Sequence, residues 1–306
     1  MKGAIFRSTG SWYEIFGEDG ILYKGRLRGN FKLKDLKLTN PIAVGDEVEF
    51  EKEGEEGTVF ITGILPRRNY MIRKSVHKKG HGHLIAANLD QTALVATLVF
   101  PKTSLGFIDR FLISAEAFRI PAIIIFNKND LYTEELKNYE KELFTTYEKL
   151  GYKCLSTSTI TEGGMDGLKE KLLHKRTLFS GHSGAGKSTL INNLLPDLHI
   201  KTSAVSAFAN KGVHTTTFAE MFRYDETTLL IDTPGIKELG LFEFKNEELS
   251  HYFPEMRKLL GQCKFHNCMH INEPGCAVQE KVRSGEIALS RFQSYLSILA
   301  DEENHR

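Results

Sequence analysis

Gly181-His182-Ser183-Gly184-Ala185-Gly186-Lys187-Ser188-Thr189 decides how this chain is read. It follows the apolar stretch Thr177–Phe179 and opens a helix-like run, Thr189–Leu195. The spacing is G-x-x-x-x-G-K-[ST]. Glycines at these positions let backbone N–H groups turn inward around phosphate oxygens. The N-terminus of the following helix adds partial positive charge. Lys187 is spaced to reach the β- and γ-phosphates, and Ser188 to ligate Mg²⁺. A chance glycine-rich turn would lack this strand–loop–helix setting.

Working outward, Gln91–Phe100 and Ile120–Phe126 are near-continuous apolar runs. Strands buried on both faces of a parallel sheet read this way. Helical segments, Ile108–Phe118, Glu134–Leu150 and Asp166–Lys175, lie between and after them. This alternation predicts a three-layer α/β sheet. Asn127-Lys128-Asn129-Asp130 follows the second run directly. At the carboxyl end of a parallel strand such residues face the ligand crevice. The Asp130 carboxylate can accept from both N1–H and the exocyclic amine of guanine, a donor pair that adenine lacks. Taken alone these four residues fit a helix N-cap; beside the phosphate loop they read as base recognition. Ser158 is a candidate for the same base-side loop.

Asp232-Thr233-Pro234-Gly235 follows a further buried strand, Thr228–Ile231. Asp232 fits the acidic residue that holds Mg²⁺, and the N–H of Gly235 is placed for the γ-phosphate. Gly212–Thr217 should supply a Thr to the metal. Thr215 and Thr216 are the leading candidates, and which Thr of 215–217 is the ligand stays open. The order of these parts is unusual. In ordinary small GTPases the phosphate loop comes first and the guanine-reading motif near the end. Here the guanine motif and Ser158 precede the phosphate loop, and the switch elements follow it. Cyclic order is preserved, so the domain is circularly permuted, which nearby surface termini permit.

The flanks have other textures. Residues 1–66 read as five strands, Gly3–Ser8, Trp12–Phe16, Ile21–Leu27, Glu47–Glu51 and Thr58–Leu65, with glycine-bearing turns. A small OB-like barrel is the economical fold. The formal charge of +1 conceals sorting within it. Lys24, Arg26, Arg28, Lys32, Lys34 and Lys37 form a basic run, Asp46–Glu56 an acidic one, and Arg67, Arg68, Arg73, Lys74, Lys78 and Lys79 a second basic one. Charge alone makes these solvated faces. If RNA binds there, Tyr23, Phe31 and Tyr70 are the stacking candidates. The chain has four cysteines, three of them within Cys263–Cys276, and Cys263-x4-Cys268-x-His270-x5-Cys276 is a Cys₃His set. Such ligands suit tetrahedral Zn²⁺ in a closed, structural site. His266 lies in the same window as an alternative. Cys154 reads as a buried small hydrophobe. The tail ends in a helix-compatible run, Ala277–Leu299. No apolar run approaches the roughly 20 residues of a membrane span, and the N-terminal stretch lacks the apolar segment of a secretory signal.

On Asn127–Asp130, Gly181–Thr189, Gly212–Thr217, Asp232–Gly235, the Cys/His set and Gly106–Leu112, the chain resembles the circularly permuted ribosome small-subunit-dependent GTPase A family (RsgA or YjeQ). The resemblance spans essentially the whole chain. It implies an OB-fold RNA-binding domain at 1–70, a permuted GTPase domain at 71–242 and a helical zinc-binding domain at 243–306. It favours His270 over His266 as the fourth ligand. It also implies GTP hydrolysis stimulated by the small ribosomal subunit during late maturation. The expected partners are GTP or GDP and the subunit's rRNA, with no membrane, for a cytoplasmic monomer. Candidate RNA contacts are Lys24, Arg26, Arg28, Lys32, Lys34, Arg67 and Arg68. Ile236 stands where Ras-like enzymes carry a water-positioning Gln; His214 is the candidate replacement, and Lys187 the candidate phosphate-side catalytic group. The competing reading is a signalling GTPase whose barrel and zinc module are protein adaptors. A P-loop metabolite kinase is disfavoured by the guanine-reading Asn127–Asp130.

Overall fold

The computed structural model describes residues 1–28, 38–52, 58–74, 81–196, 219–233 and 245–304. Strict alternation builds the first module. Its strands are β1 (Lys2–Ser8), β2 (Tyr13–Gly17), β3 (Leu22–Leu27), β4 (Glu47–Lys52) and β5 (Thr58–Ile64). Every second residue points inward, so Tyr13, Ile15, Tyr23, Val48, Phe50, Val59 and Ile61 form one core. Lys24 and Arg26 are left on the outer face. β1 pairs with β2 and β4, β2 with β3, and β4 with β5, all antiparallel; β3–β5 is parallel and closes the ring. This is the five-stranded barrel expected from the sequence.

A hairpin of β6 (Tyr70–Lys74) and β7 (Gly82–Ala87) follows, its first strand inside the second basic run. A register shift between Met71 and Ile72 turns two consecutive apolar residues inward. That bulge erases the period-2 signal by which a strand is read.

The central sheet runs β10 (Lys153–Thr157), β9 (Ala122–Asn127), β8 (Gln91–Ala96), β11 (Arg176–Ser180), β13 (Leu229–Asp232), all parallel. The short β12 (Glu220–Arg223) lies antiparallel to β13. Both faces are covered, which explains the unbroken apolar strands. Leu94 and Ala96 meet a core shared with α1 (Leu105–Ala117) and α2 (Glu134–Lys149). Ala93 and Val95 meet α3 (Asp166–Leu172) and α4 (Lys187–Leu194) on the other side. One pairing, Arg7 with Glu220, carries the sheet from β12 into β1 of the barrel.

The last module holds a 3-10 segment (Asn246–Tyr252), α5 (Pro254–Arg257), α6 (Ala277–Arg283) and α7 (Leu289–Asn304) around Leu249, Phe253, Val278, Tyr295 and Ile298. The single helical run expected over Ala277–Leu299 is corrected here to two helices. Gly285 adopts φ 76° just after α6, a left-handed stop favourable to glycine. Ile113 of α1 belongs to this module's core. Fully buried Arg291 of α7 donates to Asp109 Oδ1 of α1 and to Glu255 Oε1 of α5, each at 2.7 Å. Removing one partner of such a buried pair costs about 3–5 kcal/mol. Among the described residues no helix is long and apolar enough to cross a membrane.

Candidate functional site

Parallel strands end together, and their carboxyl ends gather the motifs. β11 delivers the phosphate loop and β13 delivers Asp232, with β11 paired directly to β13. β9 delivers Asn127–Asp130 and β10 delivers Ser158. The phosphate loop is closely fitted to its surroundings. Gly181 sits at φ 142°, where a Cβ would collide with the Val95 carbonyl oxygen. Gly186, at φ 101°, caps α4, and a Cβ there would strike the Asn127 side-chain amide. Two of the motif's glycines are thus required by close approach, one of them to the guanine-reading motif itself.

Asn127 binds no solvent-facing group. Its Nδ2 donates to Ala185 O at 3.0 Å and its Oδ1 accepts from Thr157 Oγ1 at 3.0 Å, tying β9 to the phosphate loop and to β10. Lys128 is left-handed at φ 66° and its ammonium donates to Gly184 O at 2.8 Å and Phe100 O at 2.7 Å. Such a conformation in a non-glycine residue is held only by its surroundings. Asn129 Nδ2 donates to Ser156 Oγ at 3.0 Å, and that hydroxyl donates to Glu140 Oε1 at 2.7 Å. Asp130 is exposed and accepts from buried Ser158 Oγ at 2.6 Å. Ser158 therefore stands beside Asp130, the candidate base reader.

The phosphate side differs. Lys187 is buried, and its ammonium donates to Gly181 O at 2.7 Å and His182 O at 3.0 Å. Burial pulls its pKa down to about 8, against the opposing attraction of Asp232. Asp232 is buried too, and burial lifts its carboxyl to about 6 although Lys187, the Thr233 N–H and the Ser188 hydroxyl favour the charged form. Among the described residues, Asp232 Oδ1 and Ser180 Oγ are buried with no hydrogen-bond partner. A carboxylate that keeps one orphaned oxygen and is hydrogen-bonded by the Ser188 hydroxyl is a hard-oxygen donor set, which fits Mg²⁺. Ser183 and Thr189 are exposed, and Ala185 is fully buried. His182 stacks on Phe107 of α1, ring centroids 3.8 Å apart; sequence reasoning missed Phe107. His214, Thr215, Thr216, Gly235 and Ile236 lie outside the described residues.

In the last module Cys263, Cys268, His270 and Cys276 converge, all ligand atoms within 4.8 Å of one another. Cys263 Sγ is 3.6 Å from His270 Nδ1 and 4.0 Å from Cys276 Sγ; His270 Nδ1 is 3.4 Å from Cys276 Sγ. A disulfide would bring sulfurs to about 2 Å. A tetrahedral ion with sulfur ligands at about 2.3 Å places them about 3.8 Å apart, so this set fits a metal ion. Glu273 accepts from the backbone N–H groups of Met269, Ile271 and Asn272, shaping the turn that carries His270, itself at φ 61°.

The barrel's basic residues divide. Lys24 Nζ lies 4.9 Å from the ring centre of Trp12, and Arg26 lies over both Trp12 and Phe60. Arg28 pairs with Glu51 at the surface. Arg67 is corrected: it is committed inside the protein, with Nε donating to Asp46 Oδ1 at 2.6 Å and Nη2 to Pro41 O at 2.8 Å. Arg68 binds Asp90 and the Asn88 carbonyl but stays largely exposed. The aromatic candidates also change. Tyr23 is buried against Phe50 and Tyr70 packs on Phe118. Trp12, exposed just before β2, is absent from the aromatic candidates because the alternating pattern marks only the inward residues. Lys32, Lys34 and Phe31 lie outside the described residues.

Known proteins give the same arrangement. The family model described as RsgA GTPase matches residues 64–242, and that of the RsgA N-terminal domain matches residues 2–59. A Cytophaga hutchinsonii protein named small ribosomal subunit biogenesis GTPase RsgA is 57% identical over the full length of both chains. Its namesake from Bacteroides fragilis is 50% identical, covering 99% of this chain and 97% of that one. The crystal structure of YjeQ from Thermotoga maritima superposes with a TM-score of 0.77 at 35% identity, covering 98% of this chain and 97% of that one. YloQ, described as a circularly permuted GTPase, superposes at 0.73 and 27% identity, covering 100% and 96%. With its guanine-reading motif ahead of its phosphate loop and its whole length matched, this chain belongs to the RsgA family of circularly permuted GTPases.

Proposed function

We propose that this GTPase binds the small ribosomal subunit late in its maturation and that the subunit stimulates its GTP hydrolysis. The observation that carries the reading is the joining of a guanine-nucleotide site to a cation-bearing barrel face, through the β1–β12 pairing, in a chain whose full-length relatives are named for small-subunit biogenesis. Trp12 and Phe60 offer rings for base stacking, and Lys24, Arg26, Arg28 and Arg68, with Lys32 and Lys34, offer charge for phosphates. In this reading the protein works in the cytoplasm as a monomer, with functional modules at 1–70, 71–242 and 243–306.

The residues divide the work of hydrolysis. Asp130, steadied by Ser158, selects guanine. Lys187 leaves the loop carbonyls for the β- and γ-phosphates when nucleotide enters. Ser188, Asp232 and a Thr of 215–216 would hold Mg²⁺, whose charge offsets that developing on the phosphates. Gly235 donates its N–H to the γ-phosphate, and His214 orients the attacking water in place of the usual Gln. Stimulation by a partner that completes such a site reaches about 10³–10⁵-fold. Cys263, Cys268, His270 and Cys276 would hold one structural Zn²⁺.

Hydrolysis of GTP and ATP, with and without purified small subunits at two salt concentrations, tests the reading. Slow GTP turnover raised only by subunits, and weakened by salt, is expected. Fast turnover without a partner, or retained GTP binding with no response to subunits, overturns it. His214→Ala should lose stimulated turnover while binding subunits normally. Elemental analysis should find one zinc per chain, and none in Cys263→Ser.

A further inference from the structure

The helix α1 touches the nucleotide site at one side and the C-terminal module at the other. Its first turn is fixed by Ser104, whose Oγ accepts from Phe107 N at 3.2 Å. Phe107 then lies flat on the His182 imidazole, 3.8 Å between centroids with planes 29° apart. His182 is not a bystander in the loop. Its carbonyl accepts from Ala185 N at 3.2 Å and from the Lys187 ammonium at 3.0 Å. The placement of this one residue therefore sets both the curl of the loop and the resting position of the phosphate-binding lysine.

Asp109 lies two positions on, roughly 200° around the helix, and faces away from the loop. Its Oδ1 accepts from Arg291 Nη1 at 2.7 Å and from Tyr147 OH at 2.9 Å. Two further ties join the same helix to the same module. Ile113 is buried in the module's core, and Glu116 pairs with Arg257 at 2.9 Å. Every one of these contacts fixes α1, and α1 fixes Phe107.

We infer that Phe107 is a positioning residue for the phosphate loop, and that the C-terminal module, through Arg291 on Asp109, holds the helix that presents it. The permuted order makes this closure useful. The chain leaves the nucleotide site after Asp232, builds the metal-binding module, and returns through α7 to the helix beside the phosphate loop. The module thus returns to the site through a contact, α7 on α1, that is separate from its covalent connection after Asp232.

The inference rests on nucleotide binding by this loop, not on the ribosomal partner, so its test contains no subunits. GTP and GDP affinities are measured by calorimetry on the full chain with Mg²⁺, beside thermal melts. Phe107→Ala should weaken both nucleotides by about three- to tenfold, the range of one aromatic pair. Phe107→Tyr should restore binding to within about twofold. Phe107→Leu, which keeps an apolar group but no ring, should bind as poorly as the alanine variant while melting near the parent. Wild-type affinity in either the alanine or the leucine variant overturns the positioning role. Arg291→Lys keeps the charge and loses the fork geometry. It should weaken nucleotide binding about threefold, and the double variant with Phe107→Ala should be no worse than Phe107→Ala alone. Additive losses, or no loss, overturn the brace; Glu255→Gln repeats this arm if Arg291→Lys does not fold. A parent chain that bound no GTP would remove the underlying reading instead, an outcome distinct from all of these.

Discussion

The two sides of the nucleotide site are built on opposite principles. On the base side, Asn127, Lys128, Asn129 and Asp130 each hold protein partners at 2.6–3.0 Å. On the phosphate side, Ser180 Oγ and Asp232 Oδ1 are buried with none among the described residues, and Lys187 rests on loop carbonyls. An unmet buried polar group costs about 1–3 kcal/mol. In the reading proposed above, the base side is therefore ready before guanine arrives and can discriminate from the first contact. In the same reading, the unmet Asp232 oxygen finds its partner when Mg²⁺ enters with the phosphates. On that reading selectivity is preorganised, whereas the hydrolytic arrangement waits for its ligand.

The largest effect should come from the preorganised side. Asp130→Asn replaces an acceptor pair with one acceptor and one donor, which matches xanthine better than guanine. Sites that recognise a base by hydrogen bonds reject the wrong one by about 10⁴–10⁵. Preference for GTP over XTP should accordingly fall by at least about 10³-fold, as read by competition binding. Unaltered preference would show that the base side is not the source of selectivity. On the waiting side, Lys187→Ala removes a charge-assisted partner from two phosphates, at about 1.5–3 kcal/mol each. GTP affinity should drop about 100-fold or more, with base preference intact among what still binds. A change in preference would mean the two sides are not separable.

Much of this contrast is legible in the residues themselves. Gly181–Ser188, Asn127–Asp130 and Asp232 carry types and spacings that few other tasks require, and the apolar strands before them place them in one crevice. The barrel is legible because its alternation is clean. What escaped reading lies where local pattern and tertiary role diverge. The bulge at Met71–Ile72 hides a hairpin. β12 is four residues long, too short for a period. Arg67 looks like any other basic residue until Asp46 is seen buried beside it, 21 positions earlier. Phe107 reads as a helix residue of a core, because nothing in its own neighbourhood announces His182, and Arg291 is separated from Asp109 by 182 positions.

A smaller change should measure how much the base side's wiring is worth. Ser158→Ala removes the hydroxyl that holds Asp130 at 2.6 Å. A hydrogen bond to a charged group contributes about 1.5–3 kcal/mol to its surroundings, but exposed Asp130 recovers part of that from water. GTP affinity should weaken by roughly tenfold, with GTP still preferred over XTP. A loss as deep as that of Asp130→Asn would mean that Ser158 reads the base itself rather than steadying its reader.

The smallest effect concerns Glu140, a half-buried acid on the base side. Glu140 accepts from Ser156 Oγ, which in turn accepts from Asn129. Burial raises the Glu140 carboxyl above its ordinary value near 4.5, and the Ser156 donation only partly opposes this. A carboxyl raised on folding binds more protons in the native than in the unfolded chain between its two pKa values. Stability then falls as pH rises through that window and stays lower above it. Glu140→Gln keeps an acceptor for Ser156 without the charge. The variant should melt above the parent at pH 7, and its advantage should shrink as pH falls toward 4.5 and the parent's carboxyl takes up its proton. Paired thermal melts from pH 4.5 to 8, with GDP affinity measured alongside, read both quantities. An offset independent of pH would place the cause in packing rather than in charge. A fall in GDP affinity without any stability change would show that the Ser156 relay serves Asn129 through the charge itself. The base side would then be less finished in advance than its hydrogen bonds imply.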